Sequence, residues 1–545
     1  MRVFFIVIVS TIVLGLILNN VIDNPKFSNP IEEIEYAQKT DNVYLAERIF
    51  LKELVNGKHN IDLNYGYVIN HFNIPEKTKV GKHSYKYRDD NTIFDYYERL
   101  INSKDSVDND FGYYCKGLIF LCKNDYSQAN VNFKLVKNQE LKYLNNSIGN
   151  IFKNSNTNWA ISYYEKEIRL KGNINGAVQN LSDVLIRIKD IKRFKQLLSN
   201  NETKQHISLS KQREYYYIIG DYKSYIYTLW LKFINSIDKY GFLGALLIAF
   251  IWLIYLRFID VFEKEKWYNI AVLFLISSIF TYCSFFLYDL YNITMNFDLN
   301  GDWLNDLLYC IFGIGFIEET IKLVPFIIFL IFTRAVNEPI DYVIYACVAA
   351  IGFSFTENIL YFQNDSYNIM HGRALASVVG HMCDSSIVAY GFIISRYKNK
   401  SPMFFTVLFC LLLASIVHGL YDFWLINDVV KVFNIFAIVV LISSVFIWNS
   451  IKNNALNNSP FYDKSKKLES ARISIYLFIS LSLVFIFEYF IISINYGPST
   501  GNRLLLKSIL SGTFLMIFMT GRLAQFELKA GVWDNIKIWS SNKEK

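Results

Sequence analysis

Glu318 and Glu319 sit side by side in the apolar run 311–332, with Lys322 one turn further on. On a helix Glu318 and Lys322 are i,i+4 and Glu319 and Lys322 are i,i+3, so one face can hold all three. The next three apolar runs carry similar groups. Glu357 and Asn358 follow GFSFT. His381 and Asp384 are i,i+3, with Ser377 and Ser385 on the same stripe, and His418 and Asp422 are i,i+4, with Ser415 one turn earlier. An ionised side chain at bilayer depth costs roughly 2.5–3.5 kcal/mol on insertion scales. Buried ion pairs are poor stabilisers, so the eight ionisable groups of these four runs point to function. Two adjacent buried glutamates beside one lysine cannot share charge equally. A carboxylate next to a carboxylic acid is the pair that activates a water and then protonates a leaving amine. A histidine or Asn358 could stabilise the oxyanion between those steps. Lys322 reads first as the ion-pair partner of a glutamate, and Asp384 and Asp422 as groups that orient their own histidines.

The HExxH, GxSxG and paired-aspartate protease signatures are absent. Two rival chemistries use the same residue types. One is a metalloenzyme with zinc or iron held by Glu, His and Asp; without a metal, no cofactor is required. The other is a proton- or ion-coupled transporter, for which internal repeats among the apolar runs are expected and none is found.

These residues must be positioned by membrane helices. The chain has 545 residues, 52% hydrophobic and 17% aromatic. A bilayer-spanning helix takes about 20 residues, and runs of that kind fall near 240–257, 268–290, 306–333, 341–362, 374–395, 403–424, 432–449, 473–494 and 504–521. With an apolar segment at 1–21, which reads as an uncleaved signal anchor with a removed signal peptide left open, the expectation is ten spans in an all-α polytopic bundle. Trp303, Trp424 and Trp448 fall at span ends, where interfacial anchors belong. The RFIDVFEKEK and RYKNK loops, the 450–472 loop with Lys464, Lys466, Lys467 and Arg472, and the 522–545 tail all fall on one side. The 291–303 loop opposite holds no Lys or Arg. The positive-inside rule then makes both termini cytoplasmic and residues 22–235 extracytoplasmic. On that topology Glu357, His381 and His418 each lie about 8–10 Å inside the outer boundary, and Glu318 and Glu319 about 15 Å, at 1.5 Å per residue. The net charge of +7 is spread among loops and reads as topology, with no nucleic-acid partner. The abundance of Ile, Asn, Lys and Tyr fits an AT-rich bacterial genome, hence the bacterial cell (inner) membrane.

Residues 22–235 form a separate, charged region, and membrane spans occupy 236–545. Gly117, Tyr126, Ala129 and Phe133 are spaced as in a tetratricopeptide repeat: small residue, turn aromatic, small, large apolar. NDYSQA (124–129), NTNWAI (156–161), KDIKRF (189–194) and GDYKSY (220–225) recur about every 32 residues, each suited to the turn of a helical hairpin. A solenoid of such hairpins offers a concave protein-binding surface, so this domain is expected to recruit or gate a protein partner. Five of seven cysteines lie in apolar runs, and Cys115 and Cys122 are about two turns apart on one helix, too far for a disulfide.

In sequence order, EETIK (318–322), NEPIDYVIYACVAAIGFSFTEN (337–358), GRALASVVGH (372–381) and HGLYDF (418–423) resemble the motifs of the PrsW family of membrane-embedded proteases, related to the CAAX-type prenyl endopeptidases. The match runs over residues of a core at about 300–425. The resemblance implies peptide-bond hydrolysis in membrane-protein substrates, within or beside the bilayer, by a glutamate-activated water. Glu318, Glu319, Glu357, His381 and His418 would carry the site, supported by Lys322, Asn358 and Arg373. Either Glu318 or Glu319 would be the general base, and the other would shuttle the proton. Glu357 and His381 would position water or oxyanion. The family's best-known role, the first cut in an anti-sigma factor on the extracytoplasmic side, agrees with the outer-half depth. The large repeat-like domain and the C-terminal spans are departures from the family, and Asp384 and Asp422 are not among its motif residues.

Overall fold

The computed structural model describes residues 2–40, 42–74, 77–79, 85–363, 367–427, 430–466 and 470–536. Their regular elements are helices apart from one antiparallel hairpin, Lys77–Lys79 against Tyr85–Tyr87. Lys467, one of the loop cations used for topology, lies outside the described residues. The chain divides into two units, Pro25–Leu231 and Met1–Asn24 with Lys232–Lys545.

In the first, helices meet in neighbouring pairs: Ser106–Cys122 with Tyr126–Leu135, Leu144–Phe152 with Thr157–Arg169, and Ile174–Arg187 with Ile191–Ser199. Each of the four recurrent stretches opens a helix through an acidic or amide cap. Asp125, Asn156, Asp190 and Asp221 accept the backbone N–H of Gln128, Trp159, Arg193 and Ser224, satisfying donors that a helix start leaves unpaired. Asn124, Lys189 and Gly220, just before three of those caps, turn the chain through positive φ. A Cβ on Gly117 would lie 2.6 Å from the Phe133 ring, so the small residue is required where these helices touch. Tyr126 is exposed and contributes nothing to the core.

Among the described residues of the second unit eight helices are long and apolar enough to cross a bilayer: Lys239–Ile259, Trp267–Thr294, Pro339–Tyr361, Tyr367–Lys398, Met403–Ile426, Ile435–Asn457, Ser470–Tyr496 and Pro498–Leu523. The other two expected positions are helical as well: Arg2–Val21 and the continuous run Trp303–Phe332. The last two spans are joined by Gly497 alone, at φ 78°, a conformation glycine adopts without Cβ strain. The NEPID segment starts a helix. Glu338 is its N-cap, Pro339 its first residue, and the Glu338 and Asp341 side chains exchange bonds with each other's backbone N–H.

Two expectations fail here. Trp448 is no interfacial anchor: the helix runs on to Asn457, eight residues past the expected end, and Trp448 is fully buried beside Tyr255. The expected 450–472 loop also begins later, after Asn457, and the added helical turns include Lys452. It is buried on that same helix, donating to Asn449 Oδ1 and to the carbonyls of Leu523 and Gln525. Trp303 is exposed and Trp424 half-buried.

Candidate active site

The helix bearing the two glutamates is irregular just before them. Residues Tyr309–Gly315 form a π-helical stretch, after which Phe316–Phe332 is α-helical through Pro325. The distortion sits at the glycines, one turn ahead of the acids, in a form that recurs at functional sites. A Cβ on Gly315 would lie 2.6 Å from the Ser415 carbonyl oxygen, and one on Gly419 would lie 2.4 Å from Ile311 Cα. The two glycines let this helix and Met403–Ile426 touch backbone to backbone, which brings His418 onto the glutamates. A second π stretch, Arg373–Ser377, precedes the helix Val378–Ile393 that carries His381 and Asp384.

The four helices close a buried polar chamber. Lys322 Nζ lies 2.6 Å from Glu319 Oε1, 3.8 Å from Glu318 Oε2 and 2.7 Å from His381 Nδ1, and it stands 4.6 Å over the Phe353 ring. An ammonium only donates, so His381 Nδ1 accepts and its Nε2–H donates to Glu357 Oε2 at 3.0 Å. Arg373 Nη2 donates to the same oxygen at 2.5 Å and its Nε to Asn358 Oδ1 at 2.6 Å. The guanidinium lies 4.3 Å over Tyr361. His418 is bracketed: Nδ1 lies 2.9 Å from Glu319 and 3.7 Å from Asp384, and Nε2 lies 3.3 Å from Asp422 and 3.5 Å from Glu318. Asp422 therefore sits beside its own histidine as expected. Asp384 does not: its neighbour is His418 on the next helix, because i,i+3 spacing puts two side chains on one face without making them touch. Among the described residues neither Ser377 nor Ser415 makes a side-chain hydrogen bond to these groups; Ser415 bonds back to the Leu411 carbonyl.

The two glutamates differ. Glu319 is 1% exposed and is held by Lys322, His418 and Ser385 Oγ, the last at 3.3 Å. Glu318 is 7% exposed; its Oε1 accepts from Tyr288 at 2.8 Å and its Oε2 has no hydrogen-bond partner. Tyr288, from the span before, was not visible as a site residue: it is one aromatic among many in its run. A cavity of about 10 Å³ lies beside Glu319, Lys322 and Ser385, enough for one water.

Residues 265–448 match the model of the PrsW family intramembrane metalloproteases. This segment is a PrsW-family protease domain. The chain is 28% identical over 235 residues to Protease PrsW of Clostridioides difficile (strain 630), covering 42% of this chain and 93% of that protein. It is 29% identical over 110 residues to Protease PrsW of Geobacillus kaustophilus (strain HTA426), covering 20% of this chain and 48% of that protein. No solved structure matches. The matched segment contains every residue of the chamber, and with eight long apolar helices among the described residues the chain is an integral membrane protein that carries this protease segment.

The family's description as metalloproteases requires a test of the donors. Glu318, His381 and His418 offer ligand atoms that all lie within 4.8 Å of one another, and so do Glu319, Asp384 and His418. Glu318 Oε2 and Asp384 Oδ1 are buried without a hydrogen bond. Five carboxylates (Glu318, Glu319, Glu357, Asp384, Asp422) face two permanent cations, Lys322 and Arg373. Buried acidic excess of this kind, with oxygen and imidazole donors, suits a divalent transition-metal cation.

Proposed function

We propose that this protein is an endopeptidase that cuts membrane-associated proteins near the outer leaflet, with Glu318 as the general base. The carrying observation is the asymmetry of the glutamates. Glu319 has its oxygens committed to Lys322, His418 and Ser385, whereas Glu318 keeps an unpaired oxygen and the greater exposure. A base must reach the proton it removes. Glu318 Oε2 takes a proton from water as that water attacks the scissile carbonyl, and it returns the proton to the leaving amine. Glu319 and Lys322 hold His418 and His381 in place. Glu357, fixed by Arg373, accepts the Nε2–H of His381 and so orients that ring beside Lys322. The outer-leaflet location is supported by the loop charges. Single-span regulatory proteins of the anti-sigma type are the first substrates to test, and residues 22–235 are proposed to recruit or gate them. Membrane proteomes with wild-type and Glu318→Ala protein are expected to differ by fragments whose new ends lie beside the outer leaflet. Identical fragment patterns would sink the proposal.

A second reading adds a metal at the same place, favoured by the compact donor set. Glu318 and His418 would hold it, with Glu319 bonding His418 Nδ1 and so leaving Nε2 as the ligand atom, and His381 would join them with Lys322 released from its Nδ1. A bound divalent cation would polarise the scissile carbonyl and make water easier to deprotonate. Metal analysis of purified protein, with chelation and add-back during cleavage, separates the readings.

A further inference from the structure

The PrsW-matched segment ends at 448, yet two more long helices follow, and one carries a buried acid. Glu488, on Ser470–Tyr496, is 2% exposed. It accepts the backbone N–H of His371 at 2.9 Å and the Ser508 hydroxyl at 2.6 Å, and lies 3.0 Å from His371 Nδ1. His371 Nε2 in turn lies 3.1 Å from Ser511 Oγ. His371 is in the first turn of the helix that begins at Met370, where backbone donors are unpaired and a negative charge is favourable.

The contacts around this point fix it from several sides. The His371 ring packs on Phe485, with centroids 5.3 Å apart. A Cβ on Gly512 would lie 3.2 Å from His371 Cδ2, and one on Gly244 would lie 2.6 Å from Met370 Cε. Trp252 Nε1 donates to the Ala374 carbonyl at 3.1 Å, inside the π stretch. Two residues beyond His371 comes Arg373, which holds Glu357 and Asn358. Ten residues beyond it comes His381.

We propose that Glu488 is a positioning residue of the protease site: it caps the start of the His381 helix and so sets the register of Arg373 and His381. A carboxylate buried between helices contributes little net stability, whereas a cap two residues ahead of Arg373 fixes where that helix begins. The C-terminal helices are thereby a working part of the site. This inference rests on the chamber being the peptidase centre.

The test uses full-length protein in proteoliposomes and a quenched fluorogenic single-span peptide, chosen from a library by wild-type cleavage. Glu488→Gln is expected to lower kcat about 10-fold or more with KM within about twofold, since small misplacements cost that much. Histidine-labelled protein, with seven histidines in all, supplies a readout apart from activity: solid-state NMR should show the His381 ring resonances shifting in Glu488→Gln. His371→Gln, scored the same way, serves if Glu488→Gln does not fold. Wild-type kcat in these variants, beside an inactive Glu318→Ala control, overturns this inference alone. A fully active Glu318→Ala overturns the assignment of the chamber, and an unmoved His381 resonance then overturns the positioning role by itself.

Discussion

The helix Pro339–Tyr361 has a buried ionisable cluster at each end, and the two are built differently. Near its C-terminus Glu357 meets Arg373 and His381, and through them Lys322, Glu318, Glu319 and His418. At its N-terminus Glu338 and Asp341 lie fully buried with Asp260 and Glu265. Their partners are the Ser459 and Tyr345 hydroxyls and backbone N–H groups, with the partly exposed Arg257 3.9 Å from Asp260 Oδ2. Asp260 Oδ1, Glu338 Oε1 and Asp341 Oδ1 have no hydrogen bond. The first cluster interleaves acids with a lysine, an arginine and two histidines from three other helices, so protons and charge can move between groups. The second sets four acids close together with a single arginine, Arg257, at the edge of Asp260, and is closed by capping bonds that start a helix. Burial alone therefore does not mark a reactive site; a buried acid beside a base and an unpaired oxygen does.

Substitutions should separate the clusters by what they damage. The largest expected effect is on cleavage. Glu318→Ala should lower the rate by about 10³-fold, within the range of a lost general base, while thermal stability changes little, because the one hydrogen bond lost is that to Tyr288 and Lys322 and His418 keep their closer contacts with Glu319. Glu338→Gln should leave cleavage unchanged; a comparable loss there would erase the contrast. Next, Lys322→Met leaves Glu319 buried without its cation. Breaking one partner of a buried pair costs about 3–5 kcal/mol, so denaturation in detergent should show a large destabilisation together with lost activity. Stability equal to wild type would mean Glu319 is satisfied by His418 and Ser385 alone.

Much of the chamber was legible in the sequence because ionisable residues stand out in apolar runs and helical spacing fixes their face. Glu318, Glu319, Lys322, Glu357, His381 and His418 do meet. What spacing could not show was which glutamate is free. That depends on the π stretch before Phe316 and on how closely Gly315 and Gly419 let two helices approach, both long-range outcomes. Asp384 was assigned to the wrong histidine for the same reason: i,i+3 describes one helix, and its actual neighbour is on another. Trp448 was misplaced because a polar stretch, NSIKNNALN (449–457), reads as loop. In the fold its asparagines are paid back by bonds to the chain after Leu523, such as Asn454 with Asp534 and Asn457 with Lys529, and the helix continues.

The close approach of the two glycines offers a milder perturbation of the chamber. In Gly419→Ala the new methyl would meet Ile311 Cα at 2.4 Å, a backbone atom that cannot rotate away. Overpacking of this kind costs about 1–3 kcal/mol, and it would move His418 away from Glu318 and Glu319. Cleavage should fall by about tenfold to a hundredfold, the order expected for a misplacement near 1 Å, with a modest loss of stability. Full activity in this variant would mean that the His418 contacts are dispensable, and the chamber would then be no more interdependent than the acid cluster.

The smallest expected effect belongs to the acid cluster and appears as pH dependence. Burial pushes the Asp260 carboxyl up to about 6 and the Glu338 carboxyl up to about 7. An acid whose carboxyl is raised in the folded state favours folding while protonated. Its contribution is full below the unfolded value near 4 and is lost as pH rises through the folded value. Stability of the full-length protein in detergent should therefore decline progressively from about pH 4 to pH 7, by a few degrees in Tm across that window. Glu338→Gln keeps a neutral group at the helix start and should flatten the upper part of the decline, leaving the part due to Asp260. An unchanged slope in Glu338→Gln would place the titration elsewhere and remove the distinction in how the two ends of this helix handle their charge.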